Sequence, residues 1–349
     1  MSTESSLVPD ALPLRRLGRS PVLVTELSFG GAALGNLFAE VSDDDARAAI
    51  DEAWAGGIRT FDTAPHYGLG LSERRLGAAL RERPRDEYVI STKVGRLLEA
   101  RPPAGPGDHA APDAEGFAVS GDVVRRFDFS ADGVRRSLEA SLERLGLDRV
   151  DVALIHDPDD HGEQAFREAY PALERLRAEG VVRAIGAGMN QAQMLTRFVR
   201  DTDVDVVLVA GRYTLLDRSA EDDLLPAAAD RGVSVIAGGV FNSGVLASPS
   251  PGATYEYTTA PDSLISQARA LESACAAFGV PLRAAAARYP LTCPAVASVL
   301  IGARSAAEIA DAIRLRALDI PCRLWEVLQN GNGSGPWRLQ TKRSTRSSR

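Results

Sequence analysis

The 349-residue chain lacks the features that mark membrane, secreted and metal-binding proteins. No apolar run approaches the ~18 residues that cross a bilayer, and residues 1–10 contain no basic residue or apolar segment typical of a secretory signal. The three cysteines are odd in number and widely spaced, which excludes a disulfide framework and a zinc site. A net charge of −7 argues against nucleic acid and acidic membranes as partners. We therefore expect a soluble cytoplasmic protein without a metal.

Lysine is also scarce. Of 40 lysine and arginine residues, only Lys93 and Lys342 are lysines, so the chain uses arginine wherever a generic positive charge suffices. Lys93 lies inside an apolar stretch, where arginine did not replace it. Arginine is planar and always charged, whereas lysine is compact and its pKa is tunable. Lys93 is therefore the first candidate for a chemical role.

What the chain does contain is an alternation of short β-type runs with longer amphipathic helical patterns. Ser42 and Ser72 are predicted N-caps of two of the helices. Strand–helix alternation indicates a parallel α/β sheet, and eight such units closing on themselves form a (β/α)8 TIM barrel. An open doubly wound sheet is the alternative, but no Gly-x-Gly-x-x-Gly follows the first strand. The eight predicted strands are residues 22–29, 58–62, 88–93, 150–156, 182–188, 204–210, 233–237 and 297–301.

The segments around this repeat define the predicted domain. Residues 14–329 form one barrel domain that begins with an N-terminal hairpin, and residues 1–13 are a flexible N-terminus. Residues 95–127, rich in Pro, Gly and Ala, are predicted to be a long functional loop at the catalytic face. The segment 330–349 is Gly- and Ser-rich and then basic, which predicts a disordered tail.

Polar residues at the C-terminal ends of barrel strands are the catalytic candidates. Asp62 ends the second strand with Tyr67 five residues later, Lys93 ends the third, and His156 ends the fourth. Each of Asp62, Tyr67 and His156 taken alone is more often a structural residue. Together they can serve a carbonyl–alcohol interconversion, because an ammonium lowers the pKa of a tyrosine and a histidine can orient a carbonyl.

The motifs that carry these residues resemble those of the aldo-keto reductases. The matching stretches, in the family's order, are Phe-Asp-Thr-Ala-Pro-His-Tyr-Gly at 61–68, Leu-Ser-Glu-Arg-Arg-Leu-Gly at 71–77, Ser-Thr-Lys-Val-Gly at 91–95 and Asp-Val-Ala-Leu-Ile-His at 151–156. The resemblance extends from about residue 14 to 321. It implies a nicotinamide dinucleotide cofactor, bound across the barrel mouth without a Rossmann domain.

The resemblance also implies a role for each of the four polar residues. Tyr67 is the general acid/base, Lys93 and Asp62 tune it, and His156 orients the substrate oxygen. If Lys93 lowers the pKa of Tyr67, loss of Lys93 should slow oxidation most at neutral pH and least at high pH.

A narrower resemblance points to the substrate class. His66, Arg-Arg-Phe-Asp-Phe-Ser at 125–130, His-Asp-Pro at 156–158 and Ala-Gly-Arg-Tyr-Thr-Leu-Leu at 210–216 resemble the aldose 1-dehydrogenases, a group that includes D-threo-aldose (L-fucose type) and pyridoxal 4-dehydrogenases. This implies oxidation of a sugar hemiacetal at C1 to a lactone with NAD(P)+. The substrate is then a small sugar or aldehyde.

The cofactor contacts match the family less well. Gly188 and Met189 replace the usual Ser-Asn pair, which leaves Asn190 for the carboxamide, and Tyr213 or Phe241 for the nicotinamide face. A pyrophosphate clasp, or else a plain strand-to-helix turn, is predicted at Phe241, Asn242, Ser243 and Gly244. An anion site at the start of a helix, or else a capped turn, is predicted at Gly302, Arg304 and Ser305, and Glu308 is a further candidate cofactor contact.

Coenzyme preference follows from the charges in that last segment. Glu308 stands where relatives selective for NADP often have an arginine, and Asp311 adds a second negative charge. Both disfavour the 2′-phosphate of NADP, whereas Arg304 favours it. We expect NAD to be preferred over NADP.

Four other functions are open at this stage. They are a pyridoxal 4-dehydrogenase, an NADPH-dependent aldehyde reductase, a non-catalytic nucleotide-sensing subunit, and an aldolase that forms a Schiff base through Lys93. The sequence leaves the exact substrate, the direction of the reaction and the oligomeric state open.

Overall fold

A computed structural model describes residues 12–101, 113, 115–119, 123–256 and 258–330. The strands are β1 (Leu14–Arg16), β2 (Leu23–Thr25), β3 (Leu27–Gly30), β4 (Thr60–Asp62), β5 (Val89–Val94), β6 (Arg96–Ala100), β7 (Val123–Phe127), β8 (Val152–His156), β9 (Ala184–Met189), β10 (Val206–Ala210), β11 (Ser234–Gly238), β12 (Thr254–Tyr255), β13 (Thr258–Thr259) and β14 (Val296–Gly302). The helices are α1 (Asp43–Ala55), α2 (Leu71–Leu80), α3 (Ala131–Leu145), α4 (Gly162–Gln164), α5 (Tyr170–Ala178), α6 (Ala192–Asp201), α7 (Leu224–Arg231), α8 (Asp262–Ala276), α9 (Leu282–Arg288), α10 (Ala306–Arg316) and α11 (Cys322–Asn330).

Eight parallel strands close into a barrel in the order β10-β11-β14-β3-β4-β5-β8-β9. This confirms the predicted (β/α)8 TIM barrel. The register places Asp62 beside Ser91 on β5 and Lys93 beside Leu154 on β8. Because the strands run parallel, their C-terminal residues all reach the same end of the barrel.

The predicted N-terminal hairpin is confirmed, but it is separate from the first barrel strand. β1 and β2 pair antiparallel, and the chain then continues into β3. Leu17, Val22 and Val24 of the hairpin are fully buried and pack with side chains inside the barrel, such as Val206 and Leu154. The hairpin therefore adds apolar residues to the barrel interior. A second, larger core lies between the barrel and its helices.

The predicted helix caps hold at one of two positions. The Ser42 hydroxyl accepts a hydrogen bond from the backbone N–H of Asp45 at 3.0 Å, so Ser42 caps α1. Ser72 is not a cap, because α2 begins one residue earlier and its N-cap is Gly70, with φ 80°. The Ser72 hydroxyl is instead buried 2.8 Å from the Thr63 hydroxyl, where it joins the helix to the residue that follows β4.

The long predicted loop at 95–127 contains regular structure. β6 and β7 pair antiparallel over five residues each, so a hairpin stands at the catalytic face after β5. The part of this segment at 102–112 lies outside the described residues.

The C-terminal part of the chain contains a helix that was not predicted, α11, which extends to Asn330. The predicted flexible N-terminus at 1–13 and disordered tail at 330–349 lie almost wholly outside the described residues, at 1–11 and 331–349, and stay predictions. The domain limits of 14–329 therefore stay a prediction. Among the described helices, none combines the length and the apolar character needed to cross a bilayer. The predictions of a cytoplasmic location and of no nucleic-acid or membrane partner also stay predictions.

Candidate active site

Four polar side chains from three neighbouring strands meet at the C-terminal end of the barrel. The Lys93 ammonium donates hydrogen bonds to Asp62 Oδ2 at 2.6 Å and to the Tyr67 hydroxyl at 3.0 Å. A third bond goes to the carbonyl oxygen of Thr63 at 3.0 Å. The His156 ring stands edge-on to the Tyr67 ring, with centroids 5.8 Å apart. The fold thus assembles the four residues that were predicted from the ends of separate strands.

Burial and charge act in opposite directions on Tyr67 and Lys93. Burial raises the pKa of Tyr67 to about 12, although the neighbouring ammonium of Lys93 lowers it. Burial lowers the pKa of Lys93, but the charge of Asp62 and the contact with Tyr67 outweigh burial and raise it above its ordinary value. The Lys93 ammonium lowers the pKa of Tyr67, as expected, but burial outweighs this effect and leaves the pKa above its ordinary value. Lys93 is charged and Tyr67 is a phenol at neutral pH.

The loop between β4 and α2 holds Tyr67 by a close backbone contact with a second loop. Gly68 has φ 61°, and a Cβ there would lie 2.3 Å from the carbonyl oxygen of Gly35. A Cβ on Gly35 would lie 2.5 Å from the carbonyl carbon of Tyr67. The two glycines allow the loops to touch, and this contact fixes the backbone of Tyr67.

An ion pair formed by Arg96 and Asp157 lies next to His156, close to Tyr67. Arg96, at the start of β6, donates to Asp157 Oδ2 at 2.7 Å, and its other terminal nitrogen lies 3.1 Å from Nδ1 of His66. Asp157 Oδ2 lies 3.4 Å from Nε2 of His156. The rings of His66 and His156 are 5.4 Å apart and His66 is 6.0 Å from Tyr67. Arg96 and Asp157 therefore connect the two histidines.

Both histidines are neutral in this setting. Burial lowers the pKa of His66 to about 2, and the positive charges of Arg96, Arg125 and Lys93 lower it further. Burial, Arg96 and Lys93 likewise hold the pKa of His156 well below its usual range. Since neither imidazole takes up a proton near neutral pH, His156 can donate or accept a hydrogen bond without competing with Tyr67 for the proton.

The segment after β11 has an unusual backbone. Asn242, Ser243 and Gly244 follow one another with φ of 46°, 59° and 125°. The backbone N–H of Asn242 donates to the carbonyl of Gly239 at 2.8 Å and that of Gly244 to the carbonyl of Phe241 at 3.0 Å, so these two N–H groups are used within the turn. Asn242 is buried, its amide donates to the carbonyl of Gly211 at 3.2 Å, and its Oδ1 has no hydrogen-bond partner among the described residues. Phe241, half-buried, precedes this run. The pyrophosphate clasp and the plain turn therefore both stay predictions for this segment.

The segment after β14 begins α10. Gly302 ends the strand, and the Ser305 hydroxyl caps the helix by accepting from the N–H of Glu308 at 3.3 Å. The Glu308 carboxylate accepts from the guanidinium of Arg304 at 2.7 Å and from its backbone N–H at 2.9 Å. Asp311 forms ion pairs with two other arginines, Arg283 at 2.7 Å and Arg314 at 2.6 Å. Glu308 is therefore paired with Arg304, Asp311 is paired with two other arginines, and the preference for NAD stays a prediction.

Two other predicted cofactor residues have contrasting positions. Asn190 is exposed after β9, and its carbonyl accepts from Arg212 Nε at 2.8 Å. Tyr213 is 4% exposed, and its ring packs against Tyr289 with centroids 5.3 Å apart. This packing in the core favours Phe241 over Tyr213 for the nicotinamide face.

Sequence reasoning did not identify Arg96, Gly35 or the role of Asp157. Arg96 follows the strand that carries Lys93 by two residues, and Asp157 directly follows His156, so proximity to the strand ends was the available signal. Among the described residues, no group of three His, Cys, Asp or Glu side chains could hold a metal ion. The contact of Tyr67 with the Lys93 ammonium and its proximity to His156 allow a proton to move at Tyr67 and a hydrogen bond to be donated to a substrate oxygen.

Several known proteins are similar to this chain in sequence and in fold. The model of the aldo/keto reductase family matches residues 26–324. The D-threo-aldose 1-dehydrogenase of a Pseudomonas species is 46% identical over 308 residues, 87% of this chain and 93% of that protein. The pyridoxal 4-dehydrogenase of Microbacterium luteolum is 39% identical, over 90% of this chain and 96% of that protein. An aldo-keto reductase from Bacillus halodurans, solved in its holo form, superposes with a TM-score of 0.73 at 26% identity, covering 91% and 96% of the two chains.

Proposed function

Because the chain belongs to the aldo/keto reductase family, and is thus an NAD(P)-dependent oxidoreductase, we propose that it oxidises the hemiacetal of an aldose at C1 to the lactone. The contact of Lys93 with the Tyr67 hydroxyl at 3.0 Å carries this proposal, since it supplies a proton acceptor at the end of the barrel. The 46% identity to a D-threo-aldose 1-dehydrogenase supports the substrate class. The 34% identity to the L-galactose dehydrogenase of Arabidopsis thaliana supports it independently.

In the proposed mechanism, Tyr67 accepts the proton of the C1 hydroxyl as the C1–H bond breaks and the lactone carbonyl forms. The Lys93 ammonium stabilises the phenolate that this base requires. Asp62 holds the ammonium in place at 2.6 Å. His156, which stays neutral, orients the substrate oxygen by a hydrogen bond. In the reverse direction the Tyr67 phenol returns the proton, as a general acid does.

The cofactor proposed for this site is NAD in preference to NADP, and the bound nicotinamide supplies the hydride acceptor. We propose that the segment at Asn242, Ser243 and Gly244 contacts the pyrophosphate. The first turn of α10, with Ser305 and Gly302 before it, provides N–H groups for the adenosine end. The guanidinium of Arg304 is paired with Glu308 instead of being free for a 2′-phosphate, which supports NAD. Asn190 and Phe241 are proposed contacts of the nicotinamide.

The test is the absorbance of reduced nicotinamide across a panel of aldoses and pyridoxal, with each coenzyme and in both directions. We expect L-fucose or another D-threo-type aldose to have the highest kcat/KM in the oxidative direction with NAD+. Tyr67→Phe should lose about 10²–10⁴-fold in kcat while NADH fluorescence still reports coenzyme binding. Tyr170→Phe is the matched control, because that hydroxyl contacts Glu174 on the surface of α5. A Tyr67→Phe variant that keeps most of its turnover contradicts the mechanism.

A pyridoxal 4-dehydrogenase is the second candidate, supported by 39% identity over nearly the whole chain. The same panel decides between the two, since pyridoxal would then exceed every aldose in kcat/KM. Preference for aldehyde reduction with NADPH would indicate a reductase instead. A nucleotide-sensing subunit would bind coenzyme and turn over nothing. An aldolase would give a borohydride-trapped adduct on Lys93 with substrate.

A further inference from the structure

Arg96 and Asp157 reach the mouth of the barrel through two unusual backbone conformations. Gly95, just before Arg96, has φ 102°, and a Cβ there would lie 2.1 Å from the ring of Phe129. Asp157, just after His156, has φ 39°, a left-handed value that costs a non-glycine residue free energy. Strain of this kind persists where the surrounding structure enforces it, and it is concentrated at functional sites. The backbone is thus shaped to bring these two side chains together.

A buried ion pair at this location contributes little to stability. The side chains of Arg96 and Asp157 are 9% and 20% exposed, and their contact is 2.7 Å long. Removing two charges from water costs about as much as their attraction returns, so a buried pair is weak evidence of a stabilising role. The pair instead lies beside the reacting hydroxyl of Tyr67, since Asp157 contacts His156 and Arg96 contacts His66.

The pair keeps unused hydrogen-bonding capacity. The Nε of Arg96 is buried and has no hydrogen-bond partner in the described part of the chain, and the same is true of Nδ1 of His156. Asp157 takes both of its recorded contacts on one oxygen, Oδ2. Buried polar atoms in native proteins are otherwise nearly all hydrogen-bonded. The Asp157 side chain is 20% exposed, so a ligand hydroxyl can donate to its second oxygen, whereas Nε of Arg96 is not exposed to solvent.

Aromatic rings flank the same group. The guanidinium of Arg96 lies over the ring of Phe127, 5.2 Å from its centroid, and Phe127 is 45% exposed. The ring of Phe117 is 5.1 Å from that of His66 and 6.2 Å from that of Tyr67. A pyranose presents hydroxyl groups at its edge and C–H groups on its faces. Charged hydrogen-bonding groups beside aromatic surfaces match both parts of such a ring.

We propose that Arg96, Asp157 and His66 form a hydroxyl subsite that binds the ring hydroxyls of the sugar and makes the enzyme select sugars over unsubstituted hemiacetals. This inference rests on the proposed function and specifies how its substrate is recognised. A pyranose with C1 at Tyr67 extends its ring hydroxyls a few ångströms away, which is where His66 and the ion pair lie. A site built to hydrogen-bond a substrate hydroxyl rejects the analogue that lacks it, because its buried polar groups are then left without partners.

The test compares two hemiacetals that share the reacting carbon. L-Fucose has ring hydroxyls at C2, C3 and C4, and tetrahydropyran-2-ol is the same six-membered hemiacetal without them and without the methyl group at C5. We expect the wild type to prefer L-fucose by about 10⁴-fold in kcat/KM, the typical discrimination of a hydroxyl-binding site. Arg96→Met should lose at least 100-fold in kcat/KM for L-fucose and less than threefold for tetrahydropyran-2-ol.

A second variant guards against loss of folding. Arg96→Met leaves a partly buried carboxylate without its partner, whereas Arg96→Met combined with Asp157→Asn removes both charges. Asparagine tolerates the left-handed backbone at 157, so this double variant keeps the local fold and should show the same selective loss. Arg126→Met is the matched control: it is an arginine of the same hairpin that pairs at the surface with Glu99 and Asp128, and both substrates should be unaffected.

The outcomes separate this inference from the function on which it rests. Equal losses for both hemiacetals in both variants, or a wild type that prefers tetrahydropyran-2-ol, would overturn the hydroxyl subsite and leave the oxidation of hemiacetals standing. A wild type that oxidises neither compound with either coenzyme refutes the proposed function, and the subsite with it. A selective loss for L-fucose supports both.

Discussion

Replacing Lys93 by methionine removes a buried positive charge from beside the Tyr67 hydroxyl. The Nζ–Oη distance is 3.0 Å. With an effective dielectric constant of about 20, Coulomb's law gives about 5.5 kcal/mol for unit charges at this distance. At about 1.4 kcal/mol for each factor of ten, the phenolate population at a fixed pH falls by about 10⁴-fold. Since only part of the charge develops in the transition state, we expect kcat for oxidation to fall by about 10²–10⁴-fold.

The pH dependence of this loss follows from the pKa of Tyr67. Burial raises that pKa to about 12 in the wild type, and loss of the ammonium raises it further. In both proteins the pKa of Tyr67 therefore lies above the range from about pH 6 to 10. The logarithm of kcat should rise linearly with pH in that range, with the same slope for the wild type and the variant. This differs from the sequence-based expectation that the variant recovers at high pH. The assay is initial-rate oxidation with saturating coenzyme and sugar across that range.

Stability must be separated from catalysis in this experiment. Asp62 is 2% exposed, so the methionine variant leaves a buried carboxylate without its partner, which typically costs about 3–5 kcal/mol. The double variant Lys93→Met with Asp62→Asn removes both charges and should regain thermal stability without regaining activity. A loss in kcat below tenfold in the single variant, or wild-type kcat in the double variant, would refute the reasoning.

Three further predictions follow from contacts in or near the site. Gly35→Ala places a Cβ 2.5 Å from the backbone of the Tyr67 loop, and the displaced base should cost about 10²-fold in kcat. Glu308→Gln frees the guanidinium of Arg304, so kcat/KM with NADP+ should rise about tenfold, the value of one charged hydrogen bond. His66 and His156 have lowered pKa values, so the unfolded chain binds more protons below pH 6.5. For each histidine, the free energy of unfolding should therefore fall by about 0.7 kcal/mol per pH unit near pH 6.5, steepening to about 1.4 kcal/mol per pH unit near pH 5.

Each of these has a comparison that can contradict it. Steady-state kinetics of Gly35→Ala at wild-type kcat would show that the glycine contact does not position the base. Asp311→Asn should leave the NADP+/NAD+ ratio unchanged, because Asp311 pairs with Arg283, and an equal rise in both variants would mean that bulk charge decides. Urea unfolding of a double variant, His66→Gln with His156→Gln, should show a flatter pH dependence from 6.5 to 5, and an unchanged slope would assign it to other groups.

Local pattern was sufficient for the barrel and for the four residues of its centre. Apolar runs that alternate with amphipathic helical patterns determine a parallel sheet, and parallel strands bring their C-terminal residues to one end. Asp62, Lys93 and His156 could therefore be placed together although they are far apart in the sequence. The hairpin of β6 and β7 was not predictable in the same way, because its two strands are separated by a Pro- and Gly-rich segment and pair only through tertiary contact.

The sequence by itself determined which residues stand at the strand ends, and so the fold and the candidate acid/base. Only the tertiary structure decided how burial and neighbouring charges combine to set the pKa values and ion pairs of these residues. Burial outweighs the ammonium and leaves the pKa of Tyr67 at about 12. The guanidinium of Arg96 meets a carboxylate 61 positions away in the sequence. Such effects depend on distance and solvent exposure, which no local pattern of residue types encodes, because they arise where separate strand ends converge and exclude water.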